Sequence, residues 1–254
     1  MDIKILVATH KKYWMPDDDI YLPIQVGAYN KEDLGYIRDN TGDNISSKNP
    51  NYCELTALYW AWKNLNCEYI GLCHYRRYFA YKVNKYSLKT RTSVIYTYKD
   101  YKNLLSKYDI ILPTLKNLNM SVNAHYEHYH QIEDLLYAKK ILLKLYPEYT
   151  SNYNKIMKAH TLYCFNMFVM KNTLFNEYCS WLFPILFELE KILKINSYSS
   201  YQARVFGFLS ERLFNIWLDN KSLNIYEAPV LFFKESNKKN FLNKICNNFK
   251  KIYE

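Results

Sequence analysis

Glycine is scarce in this chain, 5 residues in 254, and the phosphate loops built from it are missing. No G-x-G-x-x-G and no P-loop occurs, which excludes a dinucleotide fingerprint and a Walker-type triphosphate cradle. No Gly-x-Ser-x-Gly nucleophile elbow is present either. The six cysteines, at 53, 67, 73, 164, 179 and 246, include no C-x-x-C pair and mostly sit in apolar runs. They read as reduced, buried thiols of a cytoplasmic protein rather than a zinc site or a disulfide frame. No run reaches the ~18 apolar residues of a membrane span. The opening "MDIKILVATHKKYW" carries an acid at position 2 and only a short apolar run, so it reads as a strand and not as a signal peptide. The aspartates of "DDD" at 17–19 do not follow a buried apolar strand, so an Asp-x-Asp metal–diphosphate site is not evident.

What is present is a foldable, mildly basic chain. Hydrophobic residues make up 49% and charged residues 23%, and the length suits one α/β domain. The net charge of +10 points to an anionic partner. Residues 234–254, "KESNKKNFLNKICNNFKKIYE", hold six Lys against two Glu and so supply a large share of that excess. The chain therefore divides into a domain at 1–233 and a basic tail at 234–254. In the tail Phe241, Leu242, Ile245, Phe249 and Ile252 make one apolar stripe if it is helical, with Lys on much of the rest. That pattern fits either a helix lying on an anionic membrane or one packed on the domain with a solvated Lys face.

Within 1–233, short β-branched runs alternate with amphipathic stretches. Strands are expected at 3–8 ("IKILVA"), 20–28, 69–73, 108–113, 163–172 and 223–233. Helices are expected over 51–65, within 123–149 as far as Tyr146, over 174–193 and from 201 to 218. This alternation predicts a mostly parallel central sheet flanked by helices, with the ligand site at the carboxyl ends of the strands.

Three stretches at those ends carry candidate chemistry. "YIGLCHYRRYFAY" (69–81) places His74, Tyr75, Arg76 and Arg77 at the end of a buried strand. It reads either as surface arginines stacked on tyrosines or as a clamp whose planar guanidinium forks match a diphosphate. His125, His128 and His130 lack the H-E-x-x-H pattern of a zinc helix, and a substrate-contacting loop or helix start fits them better. In "FGFLSERLF" (206–214), Gly207 reads as a turn and Ser210 as an N-cap, which would put Glu211 in a first helical turn. That glutamate is either a favourable acid near a helix N-terminus paired with Arg212 or a general base at the mouth of a pocket.

The stretches "KILVATHK", "NISSKNPNYCELTALYWAWKN", "YIGLCHYRRYF", "FNMFVMK", "RVFGFLSERL" and "EAPVLFF" together resemble a bacterial glycosyltransferase family of capsule and O-antigen gene clusters, long catalogued only as a domain of unknown function. The resemblance runs from residue 4 to about 233. It implies a GT-A-like fold and sugar transfer from a UDP-sugar, with UDP-galactofuranose as the leading donor, to a glycan or lipid-linked glycan acceptor. It places Thr9, His10, Lys48, Asn49, His74, Tyr75, Arg76 and Arg77 on the donor side. His128, His130, Asp134, Asn166, Arg204 and Arg212 fall on the acceptor or sugar side, and Glu211 is the base of an inverting displacement. With the arginines in the place of the metal motif, no divalent cofactor is expected. The resemblance and the tail together imply a cytoplasmic protein, peripheral on the inner face of the membrane. Two other classes fit parts of the sequence: a non-catalytic sugar-binding or scaffold subunit, and a nucleic-acid-binding protein. The latter is disfavoured because the charge concentrates in the tail and no nucleic-acid motif appears.

Overall fold

The first strand sets the architecture. "IKILVA" lies in β1 (Ile3–Thr9), where Ile3, Ile5 and Val7 enter one core while Leu6 and Ala8 enter another. Successive side chains of a strand point to opposite faces, so a strand that is apolar throughout must be covered on both. The structure, a computed structural model, describes residues 1–81 and 93–233. After β1 come β2 (Tyr21–Gln25), β3 (Ile37–Arg38), α1 (Asn49–Tyr52), α2 (Leu55–Asn64), β4 (Tyr69–His74) and β5 (Arg77–Phe79). Next are α3 (Tyr98–Leu105), β6 (Ile110–Pro113), β7 (Lys116–Asn117), α4 (Val122–Tyr129), α5 (Ile132–Leu145) and α6 (Thr150–Lys158). The chain closes with β8 (Thr161–Leu162), β9 (Phe168–Lys171), α7 (Asn172–Glu190), α8 (Val205–Asp219), β10 (Ile225–Ala228) and β11 (Val230–Phe232). The tail at 234–254 lies outside the described residues, as do residues 82–92.

The central sheet runs β10-β6-β9-β4-β1-β2-β3. As expected it is mainly parallel and flanked by helices, with β9 antiparallel to both its neighbours. The exception has a physical cause. β7 pairs with β8, so the helical excursion through α4, α5 and α6 leaves and returns at one place. The chain re-enters the sheet at the end where β6 left it and must run backwards. The amino end of β9 therefore sits beside the carboxyl end of β4.

Helices α2, α5, α7 and α8 build the larger core on one face. On the other face α3, β5 and β11 pack with Tyr21, Tyr78 and Tyr101. Tyrosine usage is thus partly structural: Tyr21 donates its hydroxyl hydrogen to the Tyr96 carbonyl at 2.6 Å inside this second core.

Four local expectations are corrected. The helix at 51–65 breaks at Cys53, whose φ of 54° no right-handed helix accepts. The helix within 123–149 breaks at His130, which is extended. The strand at 163–172 starts only at Phe168, because Phe165 and Asn166 are both left-handed, at φ 80° and 51°. Gly207 and Ser210 lie inside α8 rather than at its start. Gly207 lets α1 and α8 approach, since a Cβ there would meet Cys53 Sγ at 3.3 Å. Ser210 donates back to the Gly207 carbonyl at 2.9 Å instead of capping. Glu211 is consequently a second-turn residue.

Candidate active site

β1 has β2 and β3 on one side and β4 on the other, so the chain reverses its direction of winding between β1 and β4. Crevices form outside the carboxyl ends of strands at such a point. A cleft of about 840 Å³ opens there. Its walls carry Arg76, Arg77, Lys116, Arg204 and Arg212 against the carboxylates Glu54 and Glu211. Five cationic side chains thus face two carboxylates, a charge balance that suits an anion.

β4 delivers the arginines. Gly71 lets β4 and β9 close together, since a Cβ there would lie 2.8 Å from a Val169 methyl and 3.0 Å from the Phe168 carbonyl oxygen. His74, last in the strand, donates from Nε2 to the Phe165 carbonyl at 2.8 Å. Burial lowers its pKa, and the Arg77 charge adds to that although Glu54 opposes it. The Arg76 guanidinium stacks 5.1 Å from the Tyr75 ring. The Arg77 guanidinium sits between the rings of Phe165 at 4.7 Å and Phe232 at 5.1 Å. Its Nε is buried with no hydrogen-bond partner. The arginines of the "HYRR" stretch thus lie on aromatic rings, Arg76 on a Tyr and Arg77 on two Phe, and both line the cleft. His10 packs edge-on against Tyr75 at 5.3 Å and lines the same wall.

Glu211 is held from two sides. Its Oε1 accepts the Phe165 N–H at 2.8 Å, and its Oε2 accepts from Arg212 at 3.1 Å. Burial raises its pKa, against the pull of Arg212 and the Phe165 amide. Arg212 is itself 2% exposed and donates to His125 Nδ1 at 3.1 Å. The lone pair of His125 is thereby on Nδ1, and burial with the Arg212 charge lowers its pKa. His130 stacks on Phe208 at 4.0 Å, and burial pushes its pKa down to about 4. Arg204 donates from Nε to Cys53 Sγ at 3.2 Å.

Of the residues expected at the site, His10, Asn49, His74, Tyr75, Arg76, Arg77, His130, Arg204, Glu211 and Arg212 line the cleft. The others serve elsewhere. Thr9 is buried, and its hydroxyl closes the turn after β1 by donating to the Lys11 carbonyl at 2.6 Å. Lys48 pairs with Glu190 at 2.5 Å. His128 is exposed and packs on Tyr129, outside the lining. Asp134 is buried and accepts the Tyr198 hydroxyl at 2.6 Å. Asn166 stands behind the wall, donating to Glu54 at 2.7 Å and to the Gly207 carbonyl at 3.1 Å.

Sequence reasoning missed Glu54, Lys116 and Phe165 as lining residues, whereas His125, singled out with His128 and His130, does line the cleft. Glu54 had a signal, an acid between Pro50 and the apolar run of α2, but the break at Cys53 that aims it into the cleft is not readable from residue type. Among the described residues no group of three or more His, Cys, Asp or Glu is placed to hold a metal ion.

Residues 4–222 match the family described as a domain of unknown function, DUF4422. The solved apo structure of WbbM, a bifunctional glycosyltransferase, is similar over 92% of this chain at 32% identity, with a TM-score of 0.86. The chain spans 46% of that protein's length. No curated protein matches it. Its mainly parallel α/β fold is thus that of a glycosyltransferase structure, and by the extent of the match the chain belongs to the DUF4422 family.

Proposed function

We propose that this protein transfers a sugar from a UDP-sugar, with UDP-galactofuranose as the first candidate, to a glycan or lipid-linked glycan acceptor of capsule or lipopolysaccharide synthesis. One observation carries the reading: a cation-rich cleft with two carboxylates sits at the switch point of a fold that is 32% identical to part of a bifunctional glycosyltransferase. Arg76 and Arg77 take the diphosphate, and His10, Tyr75 and Asn49 flank the nucleoside. Glu211 takes the proton of the acceptor hydroxyl, whose oxygen attacks C1 of the donor sugar from the opposite face. The bond from C1 to the diphosphate breaks, and UDP leaves with its charge met by guanidinium groups. The outcome is inversion, and no divalent ion is required. The lysines of 234–254 hold the protein to the anionic inner face of the membrane, where a lipid-linked acceptor lies.

A thermal-shift screen of nucleotide sugars tests the donor, because a specific ligand stabilises by mass action. Release of UDP on adding acceptor then tests the transfer. A donor that binds without UDP release identifies a non-catalytic sugar-binding subunit instead.

A further inference from the structure

We propose that Tyr129 and Tyr201 form the platform on which the saccharide of the acceptor stacks, an inference that rests on the transferase reading above. Large aromatic side chains are normally buried, yet these two are 51% and 54% exposed and both line the cleft. They are also held in place. The Gln202 amide donates to the Tyr129 carbonyl at 2.9 Å, and its Oε1 lies 3.2 Å from His130 Nδ1. The His130 ring stacks on Phe208 at 4.0 Å, and Tyr201 packs against both, 5.2 Å from Phe208 and 6.1 Å from His130. Tyr129 is braced by His125 at 4.8 Å and His128 at 4.5 Å. The rims of two elements, the end of α4 and the turn before α8, thus present one ordered aromatic wall.

Its place relative to the chemistry selects its ligand. Glu211 contacts Arg212, Arg212 contacts His125, and His125 contacts Tyr129. The platform therefore lies beyond the base, on the side where the acceptor hydroxyl arrives. The donor's nucleoside belongs with His10 and Tyr75 at the ends of β1 and β4. A sugar ring has an apolar C–H face and a polar rim. A fixed aromatic plate covers the face while cleft groups meet the hydroxyls.

The test uses the full chain, with methyl β-galactoside and methyl β-glucoside as probes in saturation-transfer NMR and UDP in calorimetry. The wild type should transfer saturation to the ring C–H protons of at least one glycoside. Tyr129→Ala and Tyr201→Ala should each weaken that glycoside about tenfold. The Phe variants should retain it, and UDP affinity should be unaffected. The absence of any glycoside signal in the wild type overturns the proposal. So does unchanged glycoside affinity in both alanine variants, or a loss of UDP affinity parallel to that of the glycoside. If the wild type does not bind UDP, the transferase reading fails instead, while a glycoside signal lost only in the alanine variants still supports the platform. Melting temperatures equal to wild type confirm that the variants fold.

Discussion

At the scale of single residues, the cleft sets two largely desolvated guanidinium groups, those of Arg77 and Arg212, beside carboxylates held at fixed points. The buried, partnerless Nε of Arg77 shows how much hydration that guanidinium has already lost. An anion that supplies the missing acceptor gains a charge-assisted bond worth ~1.5–3 kcal/mol. Arg77→Ala and Arg76→Ala should therefore each weaken UDP binding by roughly tenfold or more in calorimetry. Unchanged affinity in both would refute the clamp. For Glu211 the active form is the carboxylate, and burial raises the pKa through which it is lost. Turnover should thus fall with acid along a limb lying above the ~4.3 of an ordinary glutamate. Glu211→Gln should lower turnover ~10²–10⁴-fold and abolish that limb. A raised folded pKa means that ionisation is disfavoured in the fold. Any stability tied to it is present at low pH and lost as pH rises through the folded value. The Gln variant should accordingly melt no lower than wild type at neutral pH, which separates lost chemistry from lost folding. A larger loss in Glu54→Gln than in Glu211→Gln would move the base to Glu54.

At the scale of elements, the site depends on how β9 meets β4. The antiparallel entry of β9 brings Phe165 between His74 and Glu211, which hold its carbonyl and its N–H. Phe165 at φ 80° is strained for a bulky residue, and such outliers persist where the surroundings over-determine them. The close approach rests on Gly71. Gly71→Ala would push a methyl into Val169 and the Phe168 carbonyl, of which the backbone oxygen cannot step aside. Overpacking of this kind costs ~1–3 kcal/mol. The variant should lower the melting temperature by about 2–10 °C in a domain of this size, with turnover falling as β9 shifts Phe165. A wild-type melt would show that the two strands separate without penalty.

At the scale of the molecule, charge is divided between two places. One is the cleft with its five cations, and the other is the stretch 234–254 with its six lysines. If the arginines offset the leaving diphosphate, activity should survive EDTA; turnover lost in EDTA and restored by Mn²⁺ or Mg²⁺ contradicts this. Each lysine near an anionic surface contributes about 1 kcal/mol, screened by salt. The full chain should therefore co-sediment with anionic liposomes at low salt, and a chain ending at Phe233 should not. Equal sedimentation of the two would detach the tail from membrane binding.

Residue type and spacing alone determined the strands at β1, β4 and β6, the long helix α7 and the mainly parallel sheet, because burial on both faces writes itself as continuous apolar runs. They also placed Arg76 and Arg77 at a strand's carboxyl end and singled out Glu211. The direction of β9 was decided only in three dimensions, since side-chain alternation is the same for a strand run either way. The β7–β8 pairing that reverses it joins residues more than forty apart. The same holds for the break at Cys53. A left-handed cysteine has no local signal, and the packing of α1 against Gly207 of α8 selects it. That break aims Glu54 into the cleft. The resemblance placed Thr9, Lys48 and Asp134 at the site, yet each found a nearer partner in the fold: a turn carbonyl, Glu190 and Tyr198. A polar side chain near a site joins it only if no closer group satisfies it first, and only the tertiary arrangement decides which group is closer.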